Sequence, residues 1–214
     1  MIKGIKVFLV VMAIAIAVTA TADEKKIDTA NIGTDLTSRV ENNVVPPVVK
    51  EKYEYYEVCG ICEKDVQCDL KKKCIRWSDG KKYDSVTNWK IKWNYGHNNT
   101  PQTCTTDSFL VTVKIVYQLP KWVTSGDAPR PLVEKWESFL KQLMIHEKGH
   151  RDRAVEAATE LTNTIKELPP ARTCAELDRE VQMLSRKSMI KLKKDQEEYD
   201  AVTNHGQTQG AVFP

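Results

Sequence analysis

Apolar and polar side chains alternate along two stretches in the first half of the chain. In residues 89–95 tryptophan, isoleucine and tyrosine hold the odd positions, and lysine or asparagine the even ones. In residues 109–117 the odd positions are again aromatic or β-branched. Successive side chains of a strand point to opposite faces, so each stretch predicts a strand with one buried face. The tyrosine-rich residues 52–59 predict a third strand.

The spacing of apolar residues becomes helical in the second half. After Pro131, apolar side chains recur every three or four positions over residues 132–168, which predicts one long helix. A proline pair then ends it, since proline cannot continue a helix. Thr173 followed by Glu176 has the spacing of a capping box, so a second helix is predicted to start here, with an apolar stripe that runs to Tyr199.

The short connection between these helices predicts an antiparallel hairpin. If the turn lies between Leu168 and Thr173, position 148 of the first helix faces about position 193 of the second, within one turn. The end of the second helix is therefore expected beside residues 146–150. Together the patterns predict an α+β fold, in which a small antiparallel sheet from the N-terminal half packs on a long C-terminal helical hairpin.

Residues 1–22 have the composition of a signal peptide. Two lysines precede an apolar run from Val7 to Val18, and small residues lead to Ala22. The run is shorter than the roughly 18 residues that span a bilayer, so we expect an exported protein, periplasmic or secreted, with cleavage near Ala22 and no stable membrane insertion afterwards. Residues 23–48 are polar and predict a flexible lead-in. Residues 49–214 are expected to form a single domain.

The charge balance argues against a nucleic-acid partner. The formal net charge is +3, and residues 1–22 contribute two lysines and no acidic residue, which leaves a charge of about +1 for the rest. The lysine clusters at residues 71–73 and 191–194 have acidic neighbours, so a solvated mixed surface is the better interpretation.

Six cysteines form an even count, which favours disulfides in an exported protein. Their pairing does not follow from the sequence alone. Four of them, Cys59, Cys62, Cys68 and Cys74, are crowded into one stretch, so a zinc knuckle or a redox Cys-x-x-Cys is the alternative there.

Candidate chemistry centres on His146, Glu147 and His150, which form the pattern H-E-x-x-H. Residues four apart lie on one face of a helix, so the two imidazoles can bind a single Zn²⁺. Glu147 can then deprotonate a water without binding the metal itself. The alternative is a pair of helix histidines with no ligand, but their inward register and the exported setting favour zinc.

A catalytic zinc takes about three protein ligands and leaves one position for water. The hairpin brings His205 back to the site, and we predict it as the third ligand. Glu197, Glu198 and Asp200 are the competing carboxylates. His97 lies in a polar loop and is expected at the surface.

Several motifs occur together in the part of the chain from about residue 50 to 214. They are His-Glu-Lys-Gly-His at 146–150 with Ala154, the strand 89–95, Leu-Pro-Lys-Trp at 119–122, Cys104 with Cys174, and Tyr-Asp-Ala-Val-Thr-Asn-His-Gly at 199–206. This combination resembles the predicted secreted zinc-dependent proteases, the family catalogued as domain of unknown function 922. The resemblance implies a zincin-like metallopeptidase, and with it a Cys104–Cys174 disulfide that ties the sheet to the second helix. The crowded cysteines depart from the family's pattern.

The expected activity is hydrolysis of a peptide or protein substrate by a zinc-activated water, with Glu147 as general base. Tyr199 can donate to the oxyanion, or it can be a core tyrosine that ends the helix stripe. Asp200 can orient a histidine ligand or merely end the helix, and an exposed strand edge can align an extended peptide. The rival functions are a non-catalytic zinc-stabilised binding module of the envelope and a disulfide-stapled structural protein without metal.

Overall fold

The computed structural model describes residues 46–77, 80–124 and 128–214. The predicted signal peptide and residues 23–45 of the predicted lead-in lie outside these ranges. The elements are β1 (Val48–Cys59), α1 (Glu63–Lys73), β2 (Ile75–Arg76), β3 (Lys82–Tyr83), β4 (Val86–Asn99), β5 (Cys104–Val123), α2 (Arg130–Lys166) and α3 (Cys174–Thr203), followed by a 3-10 turn at Gln207–Gln209. The predicted α+β class, a small sheet followed by long C-terminal helices, is confirmed.

Three long strands form one sheet in the order β1, β5, β4, and β2 pairs with β3 in a separate short hairpin. β4 and β5 are antiparallel, as predicted, whereas β1 runs parallel to β5. Parallel neighbours need a long crossover connection. The chain supplies one, because it passes through α1, the short hairpin and β4 before it enters β5. β1 is therefore an exception to the predicted antiparallel pairing.

The core lies between one face of the sheet and the inner stripe of α2. Between residues 109 and 119 of β5 the buried side chains are those at odd positions, namely Phe109, Val111, Val113, Ile115, Tyr117 and Leu119. The facing residues of α2 include Leu132, Trp136, Phe139 and Leu143. Both sets have the predicted spacing, every second residue in the strand and every third or fourth in the helix.

At the start of α3 the Thr173 half of the predicted capping box is present, while the Glu176 side chain bonds one residue earlier than predicted. The Thr173 side chain accepts a hydrogen bond from the Glu176 amide at 3.2 Å, and the Glu176 carboxylate accepts one from the Arg172 amide. Within the described ranges, no helix combines the length and the apolar composition needed to cross a membrane.

The two long helices pack antiparallel, but their register is displaced from the predicted one. The Gln196 side-chain amide donates to the His150 carbonyl at 2.9 Å, so α3 is displaced by about five residues, more than one turn. The connection explains this difference. Ala171 and Cys104 exchange backbone hydrogen bonds of 2.8 and 2.9 Å, which ties the connection to the sheet and moves the start of α3 away from the end of α2.

A disulfide joins Cys104 to Cys174, as the family resemblance implied. The remaining four cysteines are free thiols, so the expectation of pairing throughout does not hold for them. Their stretch contains α1, which buries Val66 and Leu70, so a packed helix forms the centre of this stretch. In the part of the chain that the structure describes, these thiols do not form a metal-ligand cluster.

The chain after α3 folds back against α2. Asn204 and His205 adopt left-handed conformations with φ of 47° and 51°, which turn the chain. Phe213 then packs against Trp136 and Phe139, with ring centroids 5.8 and 5.6 Å apart. This aromatic anchor holds the C-terminal 3-10 turn in place.

Candidate metal centre

Three side chains from the two long helices converge on one point. His146 and His150 project from α2, and Asp200 projects from the last turn of α3. The two histidine Nε2 atoms are 3.2 Å apart. The Asp200 Oδ1 atom lies 3.3 Å from the Nε2 of His146 and 3.1 Å from that of His150. We call these three residues the ligand triangle, because each offers one ligand atom to the same point.

The ligand triangle has the dimensions of a metal site. If each bond is about 2.0 Å long, the ligand atoms around a tetrahedral ion are about 3.3 Å apart. The three measured separations are close to this value. Two imidazoles and a carboxylate also form a donor set that catalytic zinc uses, with the fourth position open to water. The residues present therefore fit a divalent ion such as zinc.

Two glutamines hold the imidazole rings in position. The Nδ1 atom of His146 lies 3.0 Å from Gln209 Oε1, and that of His150 lies 2.5 Å from Gln196 Oε1. Because an amide oxygen only accepts, we assign the proton of each ring to Nδ1. Each Nε2 then keeps its lone pair for a metal, as in sites where outer residues orient the ligands.

Burial and pairing act in opposite directions on the protonation of the ligand triangle. Burial disfavours ionised Asp200, but hydrogen bonds with His146 and His150 outweigh it and hold the pKa of Asp200 well below its usual value. Burial also disfavours charged His150, yet the hydrogen bond and the charge of Asp200 outweigh it and raise the pKa of His150. Without a metal, the protonated form of His150 is therefore favoured within the ligand triangle. A bound cation would replace that proton.

Glu147 is buried, and the segment that enters β4 holds its carboxylate. Oε1 accepts a hydrogen bond from Ser85 Oγ, and Oε2 accepts one from Thr87 Oγ1. A buried carboxylate needs such donors in place of water. Each oxygen keeps a further lone pair, so the carboxylate can still accept a hydrogen bond from a water.

A cleft of about 970 Å³ opens over the ligand triangle. Its walls come from β3, the start of β4, α2, α3 and the C-terminal segment. They include Glu147, the three residues of the ligand triangle, the aromatic rings of Trp77, Tyr83 and Trp89, and the amines of Lys82 and Lys193. The cleft thus joins a candidate metal site and a buried carboxylate in one space, at the upper end of the size range of ligand pockets.

Tyr199 packs behind the ligand triangle. Its ring stacks on the His146 imidazole, with centroids 5.0 Å apart and planes inclined by 16°, and the Arg153 guanidinium lies 3.6 Å from the ring centroid. The hydroxyl donates to the His146 backbone carbonyl at 3.3 Å. Tyr199 is not among the described residues that line the cleft. Of its two predicted roles, a core tyrosine fits this position and an oxyanion donor does not.

His205 lies beside the ligand triangle and not within it. Its Nδ1 atom is 3.5 Å from Asp200 Oδ1, and its ring packs against Tyr83 at 4.8 Å. Asp200, one of the competing carboxylates, therefore occupies the place predicted for His205. The displaced register of α3 explains this difference, because it brings residue 200 to the histidines. The helix has ended by Thr203, before His205 is reached.

The other candidates lie away from the ligand triangle. Glu197 is 3.8 Å from Lys193 at the cleft wall, and Glu198 is exposed. His97 is part of a surface pair, with its Nε2 atom 2.8 Å from Asp178 Oδ1, in agreement with the surface position expected for it.

The last residue of the 199–206 motif also serves the site. Gly206 has φ of 82°, and a Cβ atom there would lie 2.9 Å from His146 Cγ. Thr203 Oγ1 donates to the Tyr199 carbonyl at 2.7 Å and accepts from the Gly206 amide at 3.3 Å. The motif therefore combines one residue of the ligand triangle, Asp200, with residues that shape the turn around His146.

Four functional residues were not among the predicted site residues. Gln196 lies between Leu192 and Tyr199 on the inward stripe of α3. A polar residue on this apolar stripe could have marked it as a candidate site residue. Ser85 and Thr87 continue the odd-numbered face of the strand that contains Trp89, where a polar residue is again unexpected. Gln209 lies in an irregular segment that has no periodicity to mark it.

Residues 53–206 match the family described as "Bacterial protein of unknown function (DUF922)", and the chain belongs to this family. The match covers β4, β5 and most of β1, both long helices and the 199–206 motif. No curated protein and no solved structure matches the chain.

Proposed function

We propose that this protein is an exported zinc metallopeptidase in which His146, His150 and Asp200 hold the metal and Glu147 is the general base. The observation that carries the proposal is a buried carboxylate that shares one cleft with three ligand atoms 3.1 to 3.3 Å apart. Zinc held there would supply Lewis acidity and a nucleophilic water with a pKa near 7.

Residues of the chain perform the proton transfers and the positioning. Glu147 accepts the proton of the attacking water and returns it to the leaving amine. Ser85 and Thr87 keep its carboxylate in one orientation, so little reorganisation precedes proton transfer. Gln196 and Gln209 keep the histidine Nε2 atoms directed at the metal.

The edge of the sheet provides a way to bind an extended peptide. β4 is at the edge of the three-stranded sheet, and Val86, Thr87, Asn88 and Trp89 line the cleft. An extended substrate can add to such an edge through main-chain hydrogen bonds, with side-chain specificity set by pockets. We propose that the substrate lies along this part of β4, with its scissile bond over the ligand triangle.

The compartment is part of the proposal. The Cys104–Cys174 disulfide is compatible with export to an oxidising environment. We propose a periplasmic or secreted protein that is cleaved near Ala22.

The decisive experiment compares wild type with Glu147→Gln. Elemental analysis should find about one zinc per chain in both proteins, because Glu147 is not a ligand. A broad peptide library should be cleaved by wild type and not by the variant. Glu137→Gln, an exposed change on the same helix, should retain both properties. Undiminished cleavage by Glu147→Gln would refute the proposed base.

The second candidate is a zinc-stabilised binding module without catalysis. His205 Nδ1 lies 3.5 Å from Asp200 Oδ1, so a fourth protein ligand could close the coordination sphere and exclude water. Stoichiometric zinc in wild type with no cleaved peptide in the library would favour this candidate. Absence of zinc would favour the structural protein without metal.

A further inference from the structure

The face of the sheet that points away from α2 carries a row of lysines. In the strand register, Lys50 of β1 is opposite Lys114 of β5, and Lys114 is opposite Lys90 of β4. All three side chains are exposed. Lys92 lies on the same face of β4, two residues from Lys90. We call these four residues the lysine face.

Like charges directly opposite one another destabilise a sheet. Ion pairs could relieve this repulsion, but the lysine face takes part in none within the described residues. The acid nearest to it on that face is Glu54, which pairs with Lys52 at 2.7 Å. Among the residues that the structure describes, no acidic side chain therefore forms an ion pair with this positive charge.

Ordinary surface roles explain only part of the arrangement. Lysines on edge strands prevent sheets from pairing edge to edge, which accounts for Lys50 and Lys90. Lys114 lies on the central strand, where both edges are already paired, so this reason does not apply to it. A mixed solvated surface would place opposite charges side by side, and here they are of one sign.

Two exposed aliphatic side chains accompany the lysines. Val48 and Leu110 are 50% and 54% exposed, and their even positions place them on the same face. Val48 is in the row next to the lysines, opposite Thr112, and Leu110 is opposite Asn94. The face therefore offers a two-dimensional array of cations together with apolar side chains that can enter a lipid interface.

We propose that the lysine face binds peripherally to a bilayer surface that contains anionic phospholipids. An array of lysines that extends over three strands matches an extended charged surface, and each lysine close to such a surface strengthens binding about fivefold. The exposed aliphatics favour lipid over a soluble polyanion, which offers them no apolar environment. This binding is separate from the proposed peptidase activity and needs neither metal nor cleft.

The test is co-sedimentation of the purified protein with vesicles of phosphatidylcholine alone and of phosphatidylcholine with phosphatidylglycerol in a two-to-one ratio. Wild type should bind only the anionic vesicles and should be released at high salt, which screens charges.

The triple variant K50Q/K90Q/K114Q should lose at least about tenfold in affinity for the anionic vesicles. The charge-matched control K64Q/K72Q/K141Q, with exposed lysines of α1 and α2, should remain within about twofold. All three proteins are prepared as the proposed exported form, cleaved near Ala22, so the apolar residues 7–18 are absent and cannot bind the vesicles themselves.

Two further measurements keep the result interpretable. K114Q removes a repulsion, so it should weaken vesicle binding while it raises the melting temperature, whereas a misfolded variant would lower it. L110S should weaken vesicle binding but leave heparin binding unchanged. Failure of wild type to bind anionic vesicles would overturn the proposal. Equal loss in the triple variant and its control would also overturn it, as would heparin binding without vesicle binding.

Discussion

Gly149 and Tyr199 are so close that a methyl group does not fit between them. A Cβ atom on residue 149 would lie 2.1 Å from the Tyr199 hydroxyl oxygen and 2.4 Å from Cζ. Gly149, the fourth residue of His-Glu-Lys-Gly-His, therefore leaves space for the Tyr199 ring, which stacks on His146. The glycine of this motif is explained by packing behind the ligand triangle and not by backbone flexibility, since it lies inside α2.

We expect Gly149→Ala to destabilise the protein. In an ordinary helix interior this change stabilises by about 1 kcal/mol, but here the overpacking should reverse the sign and cost about 1 to 3 kcal/mol. Urea unfolding measures the difference, and Lys148→Ala on the exposed side of the same turn is the control. In a Tyr199→Ala background the penalty should largely disappear. An equal penalty in both backgrounds would contradict the assigned contact.

Alanine substitutions of Asp200 and of His205 should lower the zinc affinity by different amounts. Asp200→Ala removes a ligand atom from the triangle, so we expect zinc affinity to fall by more than about 100-fold. His205→Ala should cost less, about 10-fold, which is the lower end for a residue that supports a ligand, because its Nδ1 atom lies 3.5 Å from Asp200 Oδ1. Competition with a fluorescent chelator measures both constants. A larger loss in His205→Ala than in Asp200→Ala would place His205 in the coordination sphere.

The difference between these two residues shows what the periodicity could and could not predict. Both helices, the N-cap at Thr173 and the antiparallel hairpin follow from apolar spacing and local capping. The third residue of the ligand triangle depends on the register between the helices, which a backbone bridge between Ala171 and Cys104 displaces by more than one turn. Such a long-range contact leaves no periodic signal.

The strand patterns had a similar limit. Alternation correctly identified the buried faces of β4 and β5, because it depends only on the local pleat. The direction of β1 depends on where the chain re-enters the sheet, which the side chains of residues 52–59 do not encode. Likewise, the Glu147 carboxylate is held by Ser85 and Thr87, more than fifty residues away, and this contact could be foreseen only as polar positions on a buried face.

Gln209 is expected to set the affinity of the metal site from outside the ligand set. Its Oε1 lies 3.0 Å from His146 Nδ1, and loss of such a partner usually costs about 10- to 100-fold in affinity. We therefore expect Gln209→Ala to weaken zinc binding by that amount while unfolding stability of the metal-free protein changes little. Gln182→Ala, on the outer side of α3, is the control. Unchanged zinc affinity in Gln209→Ala would show that it does not orient the ring.

The pairing of His150 with Asp200 should make the free energy of unfolding of the metal-free protein depend on pH in two ways. The raised pKa of His150 gives a contribution that is complete below about pH 6.5 and is lost as the pH rises through the raised value. The lowered pKa of Asp200 gives a contribution that is complete above about pH 3.9 and is lost as the pH falls through the lowered value. This pair should therefore stabilise the chelator-treated protein most between about pH 4 and 6.5.

Zinc affinity should have a different pH dependence. Binding must displace the His150 proton, so affinity should rise about tenfold per pH unit below the raised pKa of His150 and level off above it. Metal competition between about pH 5.5 and 8 tests this, alongside urea unfolding of the metal-free protein. His97→Ala removes the exposed pair with Asp178 and should leave the affinity curve unchanged. A flat affinity curve across this range would mean that no histidine proton is displaced, and the ligand triangle would then not be where zinc binds.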